Sequence, residues 1–194
     1  IEPGRGIIGS LLQQGKLDDA AKQVDTLKKI APKHPQTVFL ETQLAYQRKD
    51  YNTARELSQR LLKLSPNDPG TLQLAGSIEY QLRSYLQAES YLSQALQQAP
   101  QLPIARRLLI ASYLRSGQPA KALSTLQPFL NNMDKDATML SLAGQVYLQN
   151  GDAKRAEEYF TKASQLDPSD PKKRTSMALA HMAQGEMSTA LGEL

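Results

Sequence analysis

The chain has 194 residues, 40% of them apolar, no cysteine and a formal net charge of +4. The lack of cysteine excludes disulfides and thiol chemistry, and no apolar run approaches the ~20 residues that cross a bilayer. The positive charge is mild and forms no basic stripe of the kind phosphate binding needs, which argues against nucleic acid as a partner.

A step of 34 residues organises the sequence. Ala20, Ala54, Ala88, Ala122, Ala156 and Ala190 share one register. Pro32, Pro66, Pro100 and Pro168 share a second, with Asp134 as its lapse. Pro35, Pro69, Pro103 and Pro171 open units in a third, with Ala137 as the exception. The frame is therefore 1–34, 35–68, 69–102, 103–136, 137–170 and a partial 171–194, read as a single array. Each unit predicts two amphipathic helices around a short turn, because apolar residues recur at three- and four-residue steps. An apolar content of 40% suits an elongated stack that buries one stripe of each helix.

In chain order, the first helix of repeat 1 is the weakest. Gly4, Gly6 and Gly9 each cost about 1 kcal/mol against Ala inside a helix, so fraying is expected there. Its second helix, through Leu17, Ala20, Val24 and Leu27, is sound. Repeat 2 puts Val38, Leu44, Ala45 and Ala54 on the packing face but carries Glu41 and Ser58 at apolar positions. Repeat 3 restores Leu72, Gly76, Leu92 and Ala95 but has Glu79 at position 11. That Glu either sits at the edge of the helix pair or binds a neighbouring side chain. The preferred reading is a small local rotation that lets Tyr80 pack in its place. Repeat 4 carries Leu109, Tyr113, Gly117, Ala122, Leu126 and Phe129. In repeat 5 the two helices meet at Asn150-Gly151-Asp152, and repeat 6 contributes Ala178, His181, Gly185 and Ala190.

The turns agree with this frame. Asp68-Pro69 and Asp170-Pro171 place an N-cap before a proline at the first helical position, where its missing N–H costs nothing. Gly15, Gly117, Gly151 and Gly185 supply the positive φ that ends a helix. Alanine at position 20 fits a close helix crossing, where a larger side chain would overpack by about 1–3 kcal/mol.

Catalytic chemistry finds little support. His34 lies in a turn, and His181 fills the packing slot of Tyr113 and Tyr147, so it reads as a core residue. No metal spacing, phosphate-binding glycine loop or nucleophile elbow occurs. Neither an enzyme nor a cofactor is expected. Tyr113, Tyr147, Tyr91, Tyr159, Tyr51 and Tyr85 are explained by repeat or turn packing. Tyr46 and Tyr80, both at position 12, lie on the other face of the first helix.

In repeat 5, taken with Ala137 as position 1, Gly falls at 8, Tyr at 11, Gly at 15, Ala at 20, Phe at 24, Ala at 27 and Pro at 32. This pattern resembles the tetratricopeptide repeat, a 34-residue helix-turn-helix. The resemblance implies an all-α fold, a right-handed α-solenoid, whose first helices line a concave groove. It also implies that positions 2, 5, 9, 12 and 13 face a ligand. Carried over, those positions give Phe39, Gln43, Tyr46 and Gln47, then Gln73, Ser77, Tyr80 and Gln81. Repeat 4 gives Ile104, Arg107, Ala111, Leu114 and Arg115, and repeat 5 gives Thr138, Ser141, Gln145, Leu148 and Gln149. Position 13 is Gln13, Gln47, Gln81, Arg115 and Gln149, a ladder suited to peptide backbone or sugar hydroxyls. Composition alone is the competing account of the ladder, since glutamine is abundant throughout. Arg107 and Arg115, about 12 Å apart on one helix face, are the best anchor for an anion. The carboxylate-clamp subtype is rejected, because no repeat has Asn at position 9.

The phrases Ala105–Leu130, Leu74–Leu82 and Leu142–Pro168 are similar to the repeat lipoprotein of bacterial PEP-CTERM/exosortase exopolysaccharide systems. That resemblance implies an exported, periplasmic or outer-membrane-associated scaffold with a protein or peptide partner, or with polysaccharide as the alternative. A regulatory segment of a larger enzyme is a further alternative. Ile1 already stands at position 1, and Leu194 falls inside a second helix without a polar cap. The sequence therefore reads as part of a longer array whose bare ends could associate end to end.

Overall fold

In a computed structural model of the chain, residues 2–133, 135–167 and 171–185 are described. Repeats 1 to 3 form the expected pairs of helices: α1 Glu2–Gln13 and α2 Leu17–Ile30, α3 Pro35–Gln47 and α4 Tyr51–Leu64, α5 Pro69–Gln81 and α6 Tyr85–Gln98. Then follow α7 Pro103–Arg115, α8 Pro119–Leu126, a 3₁₀ segment Gln127–Asn132, α9 Ala137–Gln149, α10 Ala153–Leu166 and α11 Pro171–Ala183. No strand occurs among the described residues, and the all-α class is as expected. The chain divides into two compact units, Ile1–Leu108 and Leu109–Leu194.

The alanine register is the floor of each hairpin. Ala20, Ala54, Ala88, Ala122 and Ala156 are all fully buried; Ala190 lies outside the described residues. Two glycines at position 8 show how close the helices come. A Cβ on Gly76 would sit 2.5 Å from the Leu92 side chain, and one on Gly144 would sit 2.4 Å from the Phe160 ring. In the first unit, Ile8, Val24, Leu40 and Leu44 form one cluster, and Ala45, Leu57, Leu74 and Ile78 form another. In the second, Ile110, Leu126, Leu140 and Val146 pack together, and Tyr147 and Phe160 gather around Ala156 and Ala180.

The turns are built as left-handed caps. Gly15, Gly117, Gly151 and Gly185 have φ of 70°, 72°, 84° and 82°. In repeat 5, Asp152 N–H donates to the Tyr147 carbonyl at 2.9 Å and Gly151 N–H to that of Leu148 at 3.1 Å. This is the double-bonded C-terminal cap that satisfies the last free carbonyls of a helix. Repeats 2 and 3 make the same cap without glycine, through Lys49 (φ 62°) and Arg83 (φ 59°). Asp68 caps α5 by accepting from Thr71 N–H at 2.7 Å. Asp170 of the second Asp-Pro pair lies outside the described residues.

The Gly-rich first stretch is helical from Glu2 to Gln13, and the space around Gly6 and Gly9 is open. Two expectations are corrected. The second helix of repeat 4 stops at Leu126 and tightens into 3₁₀, because Pro128 lacks an N–H and its ring crowds the preceding turn. Glu79 has not rotated away. It is 7% exposed and ion-paired, with Arg55 Nε donating to Oε1 at 2.9 Å and Nη2 to Oε2 at 2.5 Å. The same Nη2 donates to Ser84 Oγ at 2.9 Å, so Arg55 of α4 also ties the residue before α6. Glu41 is likewise satisfied, accepting from Lys28 Nζ at 2.6 Å.

Candidate functional site

The first-helix face is clearest in the first unit. Phe39 and Tyr46 lie seven residues apart, which is two turns, hence on one side of α3 about 10.5 Å apart along the axis. Both are half-buried and pack against the cluster that includes Leu74 and Ile78 of α5. The ring of Tyr46 meets that of Tyr51 at 5.7 Å and 59°, and Tyr80 meets Tyr85 at 5.7 Å and 62°. Position 12 is thus braced across the hairpin turn by position 17 in two consecutive repeats. Gln81 Nε2 donates to the Tyr46 hydroxyl at 3.3 Å, linking repeat 3 to repeat 2. Gln13, Gln47 and Gln81 are exposed, while Gln43 and Gln73 are half-buried. Ser77 is buried, and its hydroxyl donates back to the Gln73 carbonyl at 2.8 Å.

A cavity of about 300 Å³ opens beside this face, lined among others by Phe39, Leu61, Asp68 and Gly70. A Cβ added at Gly70 would stand 3.2 Å from the Asp68 carboxylate and 3.8 Å from the Phe39 ring. Arg107 is half-buried on α7. Its neighbour Arg106 donates to the Pro100 carbonyl, and burial lowers its pKa below the ordinary guanidinium value.

In the second unit, Arg115, Gln145 and Gln149 are exposed. Ala111 packs on the core, and Leu114 is part of it with Ile110 and Leu126. Tyr147 and Tyr159 stack at 5.3 Å and 5°. Arg155 lies over the Tyr147 ring at 5.4 Å and Lys162 over the Tyr159 ring at 5.5 Å. These tyrosines therefore serve packing, as their register indicated. His181 is buried as expected. His34 has a role that its place in a turn did not reveal: its Nδ1 accepts from Gln36 N–H at 3.2 Å and caps α3. Among the described residues, no three His, Cys, Asp or Glu side chains are placed to hold a metal ion. No described helix is long and apolar enough to cross a membrane.

Helical hairpins repeating every 34 residues on a buried alanine, with polar rows on their first helices, define a helical-repeat scaffold. Family models described as tetratricopeptide repeat match residues 9–69, 41–112, 79–146 and 137–170, and the chain belongs to that family. The photosystem I assembly protein Ycf3 of Cyanophora paradoxa is 29% identical over 105 residues, which are 48% of this chain and 60% of that relative. The crystal structure of PilW, described as a widely conserved type IV pilus biogenesis factor, superposes with a TM-score of 0.83 at 16% identity, covering 98% of this chain and 88% of its own. That of YrrB, described as having an unusual peptide-binding site, has a TM-score of 0.71 at 15% identity, covering 88% of each chain. At these identities the structures bear on the fold alone.

Proposed function

We propose that the protein is a non-enzymatic scaffold that holds an extended peptide, or an extended segment of a protein partner, against its first helices. The observation that carries this is the row at position 13. Gln13, Gln47, Gln81, Arg115 and Gln149 are all exposed, although the residues three positions before the last four, Leu44, Ile78, Ser112 and Val146, are buried. Amide side chains both donate and accept, which is what a peptide backbone requires. In the first unit Gln47 and Gln81 act beside Tyr46 and Tyr80; in the second, Arg115, Gln145 and Gln149 supply the polar contacts. The setting we propose, an exported scaffold of an exopolysaccharide system, rests on the resemblance of Leu74–Leu82, Ala105–Leu130 and Leu142–Pro168 alone.

The test is site-specific photo-crosslinking in the native cell. A photoreactive residue in place of Gln47 or Gln81 is expected to give a discrete protein adduct, while one in place of Glu56, exposed on a second helix, gives none. Equal adducts from both helices, or a polysaccharide adduct from the first-helix positions, would overturn the peptide reading.

A further inference from the structure

We propose that the Tyr46–Tyr80 corner of the first unit binds a polyproline II segment carrying a compact apolar residue at every third position. This rests on the peptide-binding reading above and names the class of peptide. Two tyrosines occupy the same position of consecutive repeats, each braced by a second tyrosine at 5.7 Å with tilts of 59° and 62°. The site therefore offers two equivalent half-buried rings, one per repeat. Their helices, α3 and α5, touch, and Tyr46 of α3 packs against the cluster that holds Leu74 and Ile78 of α5. Packed helices lie about 8–10 Å apart, and a polyproline II helix advances about 9.3 Å per three-residue turn. Such a ligand sets one equivalent residue over each ring. A β-strand presents one face every two residues, about 6.7 Å, and falls out of step.

Hydrogen bonding selects in the same direction. The same first helices carry neutral amides at Gln43, Gln47, Gln73 and Gln81, half-buried or exposed, which suits a ligand without charge. The bond from Gln81 to Tyr46 uses one of its two amide hydrogens and leaves the other to donate. A polyproline II backbone has no internal hydrogen bonds and few N–H groups, so its carbonyls need donors. The carbonyls of a helical ligand are already satisfied within the helix. Aromatic-lined surfaces capture such segments at low entropic cost, because the ligand is already ordered.

The experiment is a calorimetric and NMR titration with a ten-residue oligoproline, run beside a Gly/Ser peptide, a panel of proline-free apolar peptides and a neutral oligosaccharide. Oligoproline is expected to bind and to shift the side-chain amide resonances of Gln47 and Gln81, with the Gly/Ser peptide inert. Tyr80→Ala is expected to weaken binding about tenfold, the scale of one lost aromatic contact. Tyr80→Phe, which keeps the packing, weakens it less, and Glu56→Ala, exposed on the second helix α4, leaves it unchanged. If a proline-free peptide binds through Gln47 and Gln81 and oligoproline does not, this inference falls while the peptide-binding reading stands. If no peptide moves those resonances, both fall. Shifts from the oligosaccharide alone would reassign the rings to sugar and overturn both.

Discussion

Glu79 can lie among Leu74, Ala75 and Ile78 because Arg55 meets its carboxylate at two points and leaves neither oxygen without a donor. Removing one partner strands the other partly desolvated, a loss of about 1–3 kcal/mol. Replacing both by apolar groups of similar size is far milder. Position 11 already carries Tyr113 and Tyr147 in repeats 4 and 5, so the fold accepts an apolar group there. Glu79→Leu and Arg55→Leu are each expected to lower the urea midpoint, and the double variant to recover most of the loss. A double variant whose loss equals the sum of the singles would show the two side chains to be uncoupled. The sequence displayed Glu79 as an anomaly but hid its partner, which stands 24 residues earlier in the preceding repeat. Which side chain reaches across depends on how repeats nest, and no periodicity within one repeat reports that. The Gln81–Tyr46 bond, over 35 residues, was hidden for the same reason.

Helices, by contrast, were legible, since their ends are decided locally. Proline at the first position, Asp68 before it and glycine at position 15 each act within one turn of chain. The 3₁₀ segment was legible too, from Pro128, but the repeat pattern drew attention past it to Phe129. The caps of repeats 2 and 3 carry a test of the glycine argument. Lys49 and Arg83 hold φ of 62° and 59° where the other repeats of the described chain have glycine. A side chain in that region costs about 1–2 kcal/mol, while glycine adds about 0.4–1 kcal/mol of unfolded-state entropy. Lys49→Gly and Arg83→Gly are therefore each expected to stabilise by about 0.5–1 kcal/mol. Gly117→Ala, forced into the same region, is expected to destabilise by at least as much. Thermal melts followed by circular dichroism measure all three, and unchanged or lower midpoints for both glycine variants would refute the strain.

Across the whole molecule, the groove face could be located from the sequence by register, yet which of its members reach solvent could not. Ser77, at position 9, and Leu114, at position 12, belong to the same inferred face as Gln47 and Gln81, yet both are buried. Repeats of this kind gain stability from their own hairpin and the one beside it, so damage should stay near its source. Gly144→Ala provides the lesion. Its new Cβ would stand 2.4 Å from the fully buried Phe160 ring, and overpacking of that sort costs about 1–3 kcal/mol. Hydrogen exchange read by mass spectrometry is expected to show faster exchange across α9, α10 and α11, with α1 to α6 unaltered. Ligand affinity at Tyr46 and Tyr80 should be equally untouched, because that site is built wholly within residues 1–108. A uniform rise in exchange over all helices would instead mean that the chain unfolds as one cooperative body, and a substitution in repeat 5 would then weaken the Tyr46–Tyr80 site as well.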